Sequence, residues 1–121
     1  MDTETLLKRL EAAKTLGGHP EFYELLLRIA ELHARKNHDY AEDSDPLSNL
    51  KRAEKFGIPA YIGAFVRLSD KWSRIEELSK KPAMVITESL EDTLMDNAVY
   101  SLLAIILLRE QQRRDKNLTK V

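Results

Sequence analysis

At 121 residues the chain has room for one domain with a modest core. Its 19 basic and 20 acidic side chains leave a formal charge of −1, which argues against a dedicated nucleic-acid or membrane-surface binder. With no cysteine there is no disulfide framework, no thiolate metal site and no cysteine nucleophile. The longest apolar run, Leu102 to Leu108, is too short to span a bilayer, and MDTETLLKRL lacks the apolar stretch of a signal peptide, so a cytoplasmic protein is expected. Abundant Leu, Ala, Glu, Lys and Arg with few turn residues predict an all-α bundle of four to five helices. The expected organisation is a single domain over 1–121: a peripheral helix at 3–16, a bundle core at 20–110 and a polar tail at 111–121.

Thr3 to Leu16 reads as the first helix, with Leu6, Leu7, Leu10 and Ala13 on one face and Gly17-Gly18 as its stop. It carries no evident chemistry. Pro20 opens a second helix to about Asn37, whose apolar stripe is Phe22, Leu25, Leu26, Ile29 and Leu32. On its other side Glu24 with Arg28, and Glu31 with Arg35, have the spacing of ordinary exposed ion pairs. Glu21 and Glu24 also form an E-x-x-E pair. Lys36, Asn37, His38, Asp39 and Tyr40 then lead into the acidic stretch Glu42-Asp43-Ser44-Asp45, expected to be a loop rich in donors and acceptors.

Asp45-Pro46 is a helix-start signal, and Leu47, Leu50, Ala53 and Phe56 give a short amphipathic helix ending at Gly57. Pro59 starts another, to about Ser79, expected to bury Ile62, Phe65, Val66, Leu68, Trp72, Ile75 and Leu78. Along its polar side Arg67, Lys71 and Arg74 form a cationic row, suited to a polyphosphate or, through Asp70 and Arg74, to local pairing. Lys80 to Ile86, with Pro82, reads as a loop.

The last helix, from Thr87 or Ser89 to Glu110, is expected to bury Leu90, Leu94, Ala98, Leu102, Ile105 and Ile106. Glu88, Asp92, Asp96 and Tyr100 form a second row at four-residue spacing. Like charges so spaced repel. Capping and the helix dipole explain acids in the first turn, but not Asp96. A row of hard oxygen ligands suits a divalent cation, and a carboxylate-held ion grips phosphate oxygens and activates water. Leu102 to Leu108 is apolar on nearly every side, which places it between helices or in a subunit interface. There is no Gly-rich phosphate loop, no zinc motif and no nucleophile triad, leaving metal-dependent phosphate chemistry or none.

The segments Lys36-Asn37-His38-Asp39-Tyr40, Asp70-Lys71-Trp72-Ser73-Arg74-Ile75, and Glu88 to Tyr100 (ESLEDTLMDNAVY) occur in that order. Together they resemble the nucleotide-modification-associated domain of phages and bacteria, with its pattern KN-x-DY, DK-x-x-RI and ES-x-x-DT-x-x-D-x-A-x-Y. They also resemble the MazG-type all-α nucleoside triphosphate pyrophosphohydrolases, including the phage MazZ branch. The likeness runs from about Glu31 to Leu108. It implies a helical bundle assembled as a dimer or tetramer and Mg²⁺-dependent cleavage (Mn²⁺ as substitute) between the α and β phosphates, releasing a nucleoside monophosphate and pyrophosphate. The MazZ likeness favours a purine deoxynucleotide, dGTP or dATP, in phage-type nucleotide-pool or DNA-modification metabolism.

Carried over residue by residue, the resemblance implies metal ligands at Glu31, Glu88, Asp92 and Asp96, with Glu24 in reserve for Glu31. Asp96 and Tyr100 match the end of the family's second metal-binding segment, Asp92 stands for its first glutamate, and Thr93 departs from its second. Catalytic roles fall on Glu31, Asp92 and Asp96, one of which handles the attacking water. Lys36, Arg67, Lys71 and Arg74 are expected to hold phosphates. Asn37, Asp39, Tyr40 and Tyr100 are expected to bind the nucleoside or buttress the site. The reading from another class is a non-catalytic α-helical oligomeric interaction protein whose charged rows are solvated faces.

Overall fold

The computed structural model describes residues 1–40 and 47–119, with the side chains of 39, 40 and 83–89 outside that description. Its elements are α1 (Thr3–Leu16), α2 (Pro20–Tyr40), a 3₁₀ helix (Leu50–Phe56), α3 (Ala60–Leu78) and α4 (Ala83–Thr119). The chain is all-helical, with no strand among the described residues. No helix among them is long and apolar enough to cross a membrane. Asp45-Pro46 and the acidic stretch before it lie outside the described residues.

The chain separates into two compact units, Met1–Ala34 and Arg35–Val121. In the first, Asp2 caps α1, its Oδ1 accepting the Thr5 N–H at 2.7 Å. Gly17 and Gly18 end the helix at φ 132° and 103°, values that a side chain would strain. The Tyr23 hydroxyl shares its one hydrogen between Gly17 O at 2.9 Å and Ala13 O at 3.1 Å, so α2 reaches carbonyls left open at the end of α1. No residue of α1 is buried, and its Leu6, Leu7 and Leu10 face is exposed.

The second unit is built on α3 packed along α4, with the 3₁₀ helix against α3. Its core is Leu47, Ala60, Ala64, Ala104 and Leu107, with Leu50, Tyr61 and Leu103 packed around it. Alanines at the crossing let two backbones approach closely. The expected faces hold only in part: Ile62, Leu68, Ile75 and Leu78 of α3 and Leu90 and Ala98 of α4 are half-buried. Phe65, Val66 and Trp72 of α3 stay exposed, as do Leu94, Leu102, Ile105 and Ile106 of α4. Thr93, Met95, Val99, Ala104 and Leu107 are the buried positions of α4 instead. A helix apolar on nearly every side offers several stripes of the same period, and size decides which one is buried.

Three boundaries also differ from expectation. α2 runs on to Tyr40. α4 starts at Ala83, directly after Pro82, so Thr87 and Ser89 are interior residues rather than caps and 83–86 is helix rather than loop. At its far end α4 continues to Thr119, where a fraying tail was expected. Strong helix formers fill that stretch, with no Gly or Pro to stop it. Two ion pairs tie it down: Lys51 to Glu110 at 3.3 Å and Arg114 to Glu54 at 3.5 Å.

Gly63 marks where α3 meets the 3₁₀ helix. A Cβ built there lies 3.0 Å from the Ala53 Cβ and 3.6 Å from the Leu50 carbonyl. Alanine gains about 1 kcal/mol of helix propensity against that squeeze, so Gly63→Ala is expected to stay within about 1 kcal/mol of wild type. Gly63→Val adds two methyls where there is no room and is expected to cost about 2 kcal/mol. Urea midpoints of the two variants measure this; equal midpoints would mean that the contact is loose.

Candidate functional site

The site is a charge cluster built from three helices of the second unit. Lys36 stands on the last turns of α2, Lys71 at the middle of α3, and Asp96 and Tyr100 one turn apart on α4. Lys36 Nζ donates to Asp96 Oδ1 at 2.7 Å, and Lys71 Nζ donates to Asp96 Oδ2 at 3.2 Å. One carboxylate thus bridges two ammonium groups. Lys71 Nζ also lies 6.0 Å from the centroid of the Tyr100 ring, an approach worth about 0.5–1 kcal/mol when partly exposed. Asp96 is 21 % exposed and the lysines 26 % and 39 %, so the cluster sits at the surface with its acid the deepest member.

Burial alone pushes the Asp96 carboxyl up. The hydrogen bond and charge of Lys36, then those of Lys71, outweigh it and hold the group below its ordinary value. A carboxylate with a depressed folded pKa stabilises the protein above its unfolded value, near pH 4, and that contribution is lost as pH falls through the lower folded value. The expected result is a gap in melting temperature between wild type and Asp96→Asn that is constant above about pH 5 and shrinks below about pH 4. A gap independent of pH down to about pH 2 would remove the ion pair as its source.

Two amide atoms are buried and unpaired among the described residues: Asn37 Oδ1, one position after Lys36 in the chain, and Asn97 Nδ2, one position after Asp96. Asn97 Oδ1 is 3.5 Å from the Ser101 hydroxyl, a long contact. Sequence reasoning singled out Asn37 but passed over Asn97, whose one signal is its place beside Asp96.

The other expected site residues lie along the same helices or outside the described residues. Arg67 and Arg74 of α3 are exposed and make no ion pair among the described residues, and Asp70 and Arg74 do not pair there, whereas Lys71 of the same row is held by Asp96. Glu31 is exposed on the part of α2 that belongs to the first unit. Asp92 lies one turn before Asp96 and has interactions of its own. The side chains of Asp39, Tyr40 and Glu88 lie outside the described residues.

Magnesium asks for several oxygen ligands. Among the described residues no three acids or histidines come together as a cage, and both oxygens of Asp96 already face ammonium groups. In this arrangement the described side chains form no cage for a resident ion; the side chain of Glu88 lies outside the described residues. What the cluster can do is present two cations, with one acid between them, to an anion arriving from solvent. No family model matches the chain, and no curated protein or solved structure is significantly similar to it.

Proposed function

We propose that the chain is a nucleoside triphosphate pyrophosphohydrolase. It would take a nucleoside triphosphate, a purine deoxynucleotide in the first instance, to the monophosphate and pyrophosphate in the cytoplasm of a cell or phage host. One observation carries the reading: Lys36, Lys71 and Asp96 come from three separate sequence motifs and meet within hydrogen-bonding distance. An ion pair between two residues needs no such convergence. Two ammonium groups on one acid leave a net positive seat, which suits a polyphosphate.

In this reading Lys36 and Lys71 bind and neutralise the phosphate chain, and Tyr100 steadies the Lys71 ammonium from below. The buried, unpaired amides of Asn37 and Asn97, each one position along the chain from a member of the cluster, would supply an acceptor and a donor for the nucleoside. An acid of the α4 row, Asp92 or Asp96, orients the attacking water. The substrate would be taken as its Mg²⁺ complex, with Mn²⁺ as substitute, in which the ion would supply charge neutralisation on the phosphates. The deciding experiment incubates the purified chain with MgCl₂ and each common NTP and dNTP separately, read by anion-exchange chromatography. Monophosphate plus pyrophosphate from one or two of them is the expected result. Diphosphate plus phosphate would make it a different phosphohydrolase, and no turnover in Mg²⁺ or Mn²⁺ would end the enzymatic reading.

A second reading is favoured by a different observation. Phe65, Val66 and Trp72 on α3 and Leu94, Leu102, Ile105 and Ile106 on α4 are between 42 % and 59 % exposed. So much apolar surface on a small chain points to burial by a partner. Homo-oligomerisation as a dimer or tetramer accommodates it within the enzymatic reading. A non-catalytic oligomeric interaction protein accommodates it without one. Sedimentation equilibrium alongside the product assay separates the two, since only the enzyme both assembles and turns over.

A further inference from the structure

We infer that Asp96 occupies, in the free protein, the seat that a phosphate group takes between Lys36 and Lys71, so that a phosphate anion binds by displacing the carboxylate. The inference rests on the reading of these lysines as phosphate-binding and adds how their seat is kept before a ligand arrives.

The geometry carries it. Each oxygen of one carboxylate is held by a different ammonium, at 2.7 and 3.2 Å, and the ammoniums come from different helices. Two oxygens of a phosphate present the same pair of acceptors at similar spacing, so the lysines need not move apart to take one. Neither lysine has a second acidic partner among the described residues. Two positive charges against one negative leave the seat undersatisfied, and a polyanion such as pyrophosphate completes it better than a single carboxylate. Access also fits. The lysines are the more exposed members and Asp96 the deepest, so an anion meets the ammonium groups first. Asp96 leaves by rotating about its own side-chain bonds, with no change in α4. Its charge-assisted hydrogen bonds are what an incoming anion must replace, and they make the seat selective against weak monovalent anions.

The test is titration of inorganic pyrophosphate, without divalent metal, into the full chain and its variants by isothermal calorimetry. Asp96→Asn removes the competing charge while keeping one acceptor for a lysine, and is expected to bind pyrophosphate about tenfold or more tightly than wild type. The Lys36→Met/Lys71→Met double variant is expected to lose binding. Equal or weaker binding by Asp96→Asn, with helical circular dichroism preserved, overturns the inference and makes the bridge a structural clasp. Should Asp96→Asn fail to fold, the ¹³C carboxyl resonance of Asp96 in wild type gives the answer: it moves on pyrophosphate addition if the carboxylate is displaced, and an unmoved resonance at saturation overturns the inference. No hydrolysis enters this experiment. A chain that shows the exchange yet releases no monophosphate from any nucleotide keeps the anion seat and loses only the reaction.

Discussion

Asp96→Asn is expected to lower turnover of the preferred nucleoside triphosphate by about 10³-fold or more while leaving the helical spectrum unchanged. Among the described residues Asp96 is the acid that touches both cations proposed to bind phosphate. It holds Lys36 and Lys71 at a common point, and under the proposed function it would, once displaced, be a free carboxylate beside the phosphates, able to orient water. Asparagine keeps the shape and one acceptor but carries no charge and cannot take a proton. The fold loses less, because the cluster is partly solvated and each lysine retains access to water; a stability cost of about 1–2 kcal/mol follows. Steady-state kinetics should separate the two effects, with kcat falling while pyrophosphate affinity rises. Full activity in Asp96→Asn would remove this carboxylate from the reaction and leave Asp92 as the acid that orients the water.

Leu107→Ala is expected to be the most damaging change to the fold, at about 3 kcal/mol. Leu107 is 2 % exposed, the large side chain at the centre of a core otherwise made of alanines and Leu47. Its neighbours Ala60, Ala64 and Ala104 are small and sit on stiff helices, so they collapse poorly into the space it leaves. Against a total stability of about 5–15 kcal/mol this is a large fraction, and the melting temperature should fall by about 10 °C or more. The informative control is Leu102→Ala. That residue is 49 % exposed, and in the isolated chain its truncation should cost less than about 1 kcal/mol. Urea unfolding followed by circular dichroism measures both. A Leu102 cost that matches Leu107 and grows with protein concentration would show that a second copy covers this face.

Punctuation was legible in the sequence because it acts locally. Gly17-Gly18, Pro20, Gly57 and Pro59 each stop or start a helix through the backbone freedom of one or two residues, and α1 and α3 lie where those signals put them. The ends of α4 were not legible. Thr87 and Ser89 are good caps in isolation, yet helix propensity carries α4 through them from Ala83 and on to Thr119, with tertiary ion pairs from Lys51 and Glu54 meeting it at Glu110 and Arg114. Four members of the candidate site, Lys36, Lys71, Asp96 and Tyr100, also stood out in sequence, each for its charge or its place in a row. Their partners did not. Asp96 was expected to face a metal ion and the lysines a phosphate, whereas in the fold Asp96 and the two lysines face each other. Asn97 offered nothing beyond its place beside Asp96, because an unpaired amide becomes conspicuous only when it is buried.

By itself, then, the sequence determined that this protein is all-helical, where most of its helices begin and end, and which side chains carry the charge that a site would need. Those properties depend on residues within a turn or two of one another. Only the tertiary structure decided which faces of α3 and α4 are buried and that Asp96 bridges Lys36 and Lys71. The first turned on the close fit of Ala60 and Ala64 with Ala104 and Leu107, which a surplus of large apolar residues on both helices concealed. The second turned on the meeting of residues 25 and 60 positions apart, a distance over which helical periodicity carries no information.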